Sequence, residues 1–195
     1  MKNVAILVFN EVEVLDFAGP FEVFSISENT NKKKLFRAFT VSENSGIFSA
    51  RNGFLGKSNF TIFDCPDIDI LIIPGGYGAE KIEINNSVIL DWISDVASKA
   101  EIVASVCTGA FLLAKAGVIQ NQRVTTHWMD IDDLQSQYPN LEVVRDVKFV
   151  DTGRTITSGG ISAGIEMSLH IVSRTQGLDT AERTAKRMEY DWKEK

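Results

Sequence analysis

Short apolar segments recur along this chain and alternate with segments in which the apolar residues have helical spacing. Residues 4–9 are apolar throughout, which is typical of a parallel strand that helices cover on both faces. Between Ser87 and Ser98 the apolar positions follow the period of an amphipathic helix. By the same criteria, we predict strands at residues 4–9, 35–41, 68–73, 102–106, 124–126, 141–144, 148–150 and 155–157. The predicted helices span residues 19–26, 87–98, 107–114, 129–138, 162–174 and 180–192.

This alternation predicts a doubly wound, flavodoxin-like α/β fold, a three-layer sandwich with a mostly parallel sheet. The length of 195 residues suits one sizeable core, so we expect a single domain over residues 1–195. Gly117 and Gly177 are expected to end the helices that precede them, and Ser162 is expected to cap the helix that follows it.

Composition narrows the classes of partner. The formal net charge of −6 argues against nonspecific nucleic-acid binding, which needs clustered Lys and Arg. The apolar runs are far shorter than the ~20 residues of a membrane-spanning helix, so we expect no membrane association. Two cysteines in a chain of this length indicate free thiols in a reducing compartment, which predicts a cytoplasmic protein.

Ligands bind beyond the carboxyl ends of the strands in such sheets, and Cys107 is the sharpest feature predicted there. It stands where a buried strand runs directly into a helix, which is the position of a nucleophile elbow, and Gly109 leaves room for the tight turn. The N-terminus of the helix is expected to lower the pKa of the thiol. The alternative is an inert cysteine that packs as a small apolar residue.

Three further segments reach the same edge. Asp16 lies among apolar residues before a predicted helix, where it is either an N-cap or a partly buried acid whose pKa is raised beside Cys107. Gly75 and Gly76 follow a strand and either point N–H donors at a ligand or form an ordinary turn. His127 is a candidate general base or a structural histidine.

A second glycine-rich turn, which contains Gly160 and Ile161, could line a pocket. It lacks the Lys of a P-loop and the dinucleotide-binding glycine pattern, so it predicts no phosphate site. The spacing of Cys and His predicts no metal site.

Together these segments resemble the ThiJ/PfpI superfamily, whose fold is shared with class I glutamine amidotransferases. The resemblance extends from Lys2 to Trp192, and its order and spacing are more specific than any one motif. The matching segments are residues 16–24 (DFAGPFEVF), 73–76 (IPGG), 105–110 (SVCTGA), 125–128 (TTHW) and 157–164 (TSGGISAG).

Within the superfamily the chain is most similar to the isonitrile hydratase branch. That branch has an Asp in its acidic motif, where many members have Glu, and a Thr after the nucleophile where the protease-like branch has His. The resemblance implies that Cys107 is the nucleophile, that Asp16 is the acid and that Thr108 positions the water or Asp16. Gly75, Gly76, His127, Gly160 and Ile161 would line the substrate site, without a cofactor.

The implied reaction is hydration of an isonitrile to an N-substituted formamide. Two alternatives stay open: a glyoxalase-like or deglycase-like enzyme acting on 2-oxoaldehydes, and a non-enzymatic ligand or redox sensor. The sensor alternative follows from a resemblance to the sensor half of AraC-type regulators. Those regulators also carry a helix-turn-helix pair, which we do not expect here because Lys195 closely follows the last predicted helix. The resemblance also implies a homodimer.

Overall fold

Seven strands form the central sheet of the computed structural model, which describes residues 1–193. Two pairs of short strands lie outside that sheet, β3 with β4 and β8 with β9. In chain order the strands are β1 (Lys2–Leu7), β2 (Phe36–Ser42), β3 (Ile47–Ser49), β4 (Leu55–Lys57), β5 (Phe60–Thr61), β6 (Ile70–Ile73), β7 (Ile102–Ser105), β8 (Arg123–Val124), β9 (Glu142–Val143), β10 (Phe149–Asp151) and β11 (Thr155–Ser158).

The spatial order of the central sheet is β10-β11-β7-β6-β1-β2-β5. Its strand pairs are parallel except that β10 runs antiparallel to β11. The chain moves outward from β1 to β2 on one side and continues from β6 to β7 on the other. The topological switch point therefore lies between β1 and β6, as in flavodoxin-like folds, and ligands bind beyond the carboxyl ends of such strands. The predicted fold class is confirmed.

Helices flank the sheet and complete its layers. In chain order they are α1 (Val14–Ile26), α2 (Tyr77–Lys81), α3 (Ser87–Lys99), α4 (Gly109–Lys115), α5 (Ile131–Gln137), α6 (Ala163–Gln176) and α7 (Leu178–Arg187). Helices α1, α6 and α7 pack against one another, while α4 packs against α2 and α3. The side chains of Ile70–Ile73 in β6 are fully buried, which explains why the central strands are apolar on both faces. Within the described residues, every helix is too short or too polar to cross a bilayer.

Several boundaries differ from the predicted ones. Helix α1 begins five residues before the predicted start at Gly19 and accommodates Pro20 in its interior. Helix α7 ends at Arg187, so Trp192 lies beyond it. Ser162 forms no side-chain capping bond to the described residues, although Gly177 ends α6 as predicted, with a φ of 91°. The predicted end of the domain at Lys195 lies outside the described residues.

Candidate active site

Cys107 occupies a strained turn between β7 and α4. Its φ of 54° lies in the left-handed region, which costs a non-glycine residue about 1–3 kcal/mol. The turn also brings the chain close to β6, because a Cβ atom at Gly109 would lie 2.1 Å from the carbonyl oxygen of Ile73. Only glycine therefore fits at the start of α4. The strained backbone at Cys107 has the geometry of a nucleophile elbow. Only 7% of the residue is exposed.

Asp16 is fully buried in the first turn of α1. The N-cap of this helix is Glu13, so the capping interpretation of Asp16 is wrong: the helix starts before the aspartate and turns it into the interior. Its Oδ2 atom accepts a hydrogen bond from the Gly75 N–H at 3.0 Å. Its Oδ1 atom is buried and has no hydrogen-bond partner by distance and angle among residues 1–193.

Burial changes the pKa of both groups. Loss of solvation raises the pKa of Asp16 to about 7, with a smaller upward contribution from Glu13, while the Gly75 N–H and the nearby Cys107 thiol lower it. Burial, and then the charge of Asp16, also raise the pKa of Cys107, although hydrogen bonds from Thr108 lower it. The expected lowering of the thiol pKa by the helix is therefore wrong in direction. A seven-residue helix does not offset desolvation beside a carboxylate.

The two glycines after β6 hold the acid and its neighbour in place. The Gly75 N–H donates to Asp16, and the Gly76 N–H donates to the Thr108 hydroxyl at 2.9 Å. Both donors are therefore occupied, which contradicts the expectation that they point at a ligand. Thr108 is itself buried and contacts the glycine turn, so it is Gly75 rather than Thr108 that bonds to Asp16.

His127 lies close to Cys107, with Gly160 between them. A Cβ atom at Gly160 would be 2.4 Å from His127 Cδ2 and 3.0 Å from Cys107 Sγ, so a side chain there would displace the ring. The Nδ1 atom of His127 lies 3.1 Å from Asp130 Oδ2. The structure thus brings together the predicted residues Asp16, Cys107, Thr108, Gly75, Gly76, His127 and Gly160.

Exposed apolar side chains follow directly on three of these residues. Tyr77 follows Gly76, Trp128 follows His127, and Ile161 follows Gly160. Their exposures are 51%, 73% and 37%. Ile161 is thus a partly exposed neighbour of Gly160, and the Tyr77 ring has the Arg51 guanidinium over it at 5.9 Å.

Two acidic residues near His127 were missed by the sequence analysis. Asp130 lies three residues after His127, in a 3-10 turn that the sequence does not distinguish from the following helix. Glu80 lies in α2, where burial and then the charge of Asp130 raise its pKa, while Lys81, a hydrogen bond from Thr108 and then His127 lower it. The short α2 leaves too weak a pattern to predict. Among residues 1–193, no group of three or more His, Cys, Asp or Glu could hold a metal ion.

Comparison with known proteins identifies relatives over almost the whole chain. The model of the DJ-1/PfpI family matches residues 2–174. An isonitrile hydratase of Pseudomonas putida is 33% identical over 190 residues, which is 96% of this chain and 78% of that protein. The transcriptional regulator CdhR of Pseudomonas aeruginosa is 27% identical over 86% of this chain but only 49% of its own length.

Solved structures share the fold. A ThiJ/PfpI family protein from Pseudomonas syringae superposes with a TM-score of 0.87 at 24% identity, over 99% of this chain and 76% of its own. Drosophila melanogaster DJ-1beta gives a TM-score of 0.83 at 20% identity, over 98% of this chain and 99% of its own.

Proposed function

This chain belongs to the DJ-1/PfpI family, and on that premise we propose that it is a cysteine-dependent enzyme that hydrates an isonitrile to an N-substituted formamide. One observation carries the proposal: a fully buried acid, Asp16, whose pKa is about 7, lies beside the strained Cys107. Such an acid holds a proton at neutral pH and can deliver it inside the site. The 33% identity to an isonitrile hydratase supports the same reaction.

In its reactive form the Asp16–Cys107 pair holds one proton, and the first half of the reaction uses that proton. The carbon of an isonitrile both accepts a nucleophile and takes up a proton. In the reactive form the thiol is ionised and the carboxyl group is protonated. The Cys107 sulfur bonds to the carbon while Asp16 transfers its proton to that same carbon, which gives a thioimidate and leaves Asp16 as a carboxylate.

The second half releases the product. Water adds across the carbon–nitrogen double bond, and the carbon–sulfur bond then breaks. The hydroxyl proton of the adduct passes to the Asp16 carboxylate, which restores the protonated acid and the thiolate. Thr108 supports both halves, because it holds Gly76 and donates to the sulfur.

We propose further that Trp128 contacts an apolar substituent of the substrate. Its ring is exposed and lies 5.8 Å from the His127 ring, measured between centroids. A hydrocarbon group on the isonitrile nitrogen would gain about 25 cal/mol for each Å² of apolar surface buried there.

Turnover of n-butyl isonitrile to N-butylformamide, measured by liquid chromatography and mass spectrometry, tests the proposal. We expect the wild-type chain to convert n-butyl isonitrile to N-butylformamide and Cys107→Ala to lose this activity. Cys65→Ser is the matched control, because Cys65 lies outside the site and its loss should leave turnover unchanged. Full activity of Cys107→Ala would exclude the scheme.

Two other functions are outcomes of the same assay. Turnover of methylglyoxal without turnover of the isonitrile would indicate the 2-oxoaldehyde reaction. The similarity to CdhR favours ligand sensing as the second candidate, which would show binding without turnover. A redox sensor would instead show sulfinylation of Cys107 under mild peroxide without turnover of any substrate.

The homodimer and the cytoplasmic location stay predictions. Light scattering coupled to size-exclusion chromatography would measure the mass of the assembly, and a mass of one chain would contradict the homodimer.

A further inference from the structure

The imidazole of His127 is fixed on one side by Asp130. The two side chains meet at 3.1 Å, through His127 Nδ1 and Asp130 Oδ2. The backbone joins them as well, because the Asp130 N–H donates to the carbonyl oxygen of His127 at 2.9 Å. The side chains are 19% and 24% exposed, so the pair is partly shielded yet open to water. The ring is therefore held in one orientation.

The carbon edge of the ring, Cδ2 and Cγ, faces Gly160: a Cβ atom there would lie 2.4 Å and 3.2 Å from these two atoms and 3.0 Å from Cys107 Sγ. Nε2 is bonded to Cδ2, so this nitrogen lies within one bond of the ring atom closest to that position. A carboxylate at Nδ1 holds a proton on that nitrogen, so the neutral ring keeps a free lone pair on Nε2. His127 can therefore accept a proton beside the sulfur.

The proposed hydration needs such a group in its second half only. Asp16 supplies the proton of the first half from a position that is fully buried. Water reaches the thioimidate from the exposed side, where His127 lies. A water molecule is a weak nucleophile until a base takes its proton. Cys107 does not provide that base, since the sulfur is bonded to substrate, and Asp16 takes its proton only later, when the adduct releases the product.

We infer that His127, positioned by Asp130, is the general base that activates water for hydrolysis of the thioimidate on Cys107. His127 takes a proton from water as the oxygen bonds to the carbon. It then gives that proton to the substrate nitrogen, so the ring returns to its neutral form before the carbon–sulfur bond breaks. This inference rests on the proposed hydratase function and assigns the step that the function leaves open.

The charges around the ring suit this role. Asp130 contacts it from the same turn, Glu80 faces it from α2, and Cys107 is neutral while it carries the substrate. Two carboxyl groups thus surround the imidazolium ion that forms during the transfer. Opposite charges at short range stabilise such an ion.

Single-turnover experiments with n-butyl isonitrile separate the two halves, because intact-protein mass spectrometry detects the adduct on Cys107. We expect His127→Gln and Asp130→Asn to form the adduct at the wild-type rate and then to accumulate it. Product release should slow about 10²–10⁴-fold in His127→Gln. Loss of one charge-assisted hydrogen bond in Asp130→Asn should slow release about 10–100-fold. The pH dependence of release should change in Asp130→Asn, whereas that of adduct formation should not.

Asp133→Asn is the matched control, because Asp133 is an exposed acid on the neighbouring helix and should behave as wild type. Asp130→Glu should recover part of the release rate. Wild-type release in both site variants would overturn the inference while leaving the hydratase function intact, and so would slowing of adduct formation alone. Absence of turnover in the wild-type chain would overturn both.

Discussion

The carboxyl group of Asp16 and the thiol of Cys107 share one buried site at the carboxyl ends of the central strands, and each changes the titration of the other. Two negative charges at such a place are costly, so the pair keeps at least one proton over the neutral range. The Gly75 N–H stabilises only one oxygen of the acid. The site therefore contains an acid and a nucleophile whose protonation states depend on each other.

Replacing Asp16 by Asn should lower the pKa of Cys107. The substitution keeps the shape of the side chain but removes the negative charge that, after burial, contributes most to raising the thiol pKa. The ultraviolet absorbance of the thiolate, followed against pH in a Cys65→Ser background, measures the change. A thiol pKa that stays the same or rises would show that the two groups do not interact.

The same acid should make stability fall with rising pH. The pKa of Asp16 is raised from 3.8 to about 7 in the folded chain, which therefore binds this proton more tightly than the unfolded chain. The contribution to stability is full below about pH 4 and is lost as the pH rises to about 7, a change of roughly 4 kcal/mol.

Urea unfolding at several pH values checks this contribution. The unfolding free energy of Asp16→Asn should decline less than that of the wild type between about pH 4 and pH 7. Above about pH 7 the two curves of free energy against pH should run parallel. The other carboxyl groups and the imidazoles are common to both proteins, so over this pH range the difference between the two curves reports mainly Asp16. Equal slopes would contradict the raised pKa.

Much of the fold could be predicted because its strongest signals are local. A strand buried on both faces must be apolar, so β1 and β6 were found within a few residues. The short strands β3, β4 and β5 were missed, since their residues are mostly exposed or half-buried and form no apolar run. The start of α1 was misplaced because Gly19 and Pro20 look like a helix start, whereas packing against α6 stabilises the helix around them.

The candidate site was predicted less completely, because its chemistry depends on distances between segments. The motif identified Asp16 and Cys107, but only the fold shows that desolvation changes the pKa of the thiol more than the N-terminus of α4 does. The glycines after β6 suggested free donors, yet their N–H groups are used by Asp16 and Thr108. The spacing of His127 and Asp130 within one turn was the available signal for that pair, and it was not recognised.

The Thr108 hydroxyl should matter more than its methyl group. Thr108→Val keeps the volume but leaves the Gly76 N–H unpaired, which costs about 1–3 kcal/mol of unfolding free energy, and removes the hydrogen bond to the sulfur. Turnover of n-butyl isonitrile should therefore fall. Thr108→Ser keeps the hydroxyl and should retain most of the activity, so equal activity of the two variants would contradict the assigned contacts.

Gly160→Ala should damage the reaction more than the fold. The new Cβ atom would lie 2.4 Å from His127 Cδ2, and because the side chain of His127 is 19% exposed, the ring can move outward rather than unfold the protein. That movement would break the contact with Asp130 and take the base away from the sulfur.

A misplacement of about 1 Å can cost roughly 10²-fold in rate, so we expect a large loss of turnover with a small change in melting temperature. Gly159→Ala is the control beside it, since its new Cβ would meet no atom closer than 3.7 Å and should leave both quantities near wild type. Calorimetry and steady-state kinetics on the two variants measure the contrast. If Gly160→Ala keeps wild-type turnover, the glycine does not set the distance between His127 and Cys107, and the close approach of these two residues has no role in the rate.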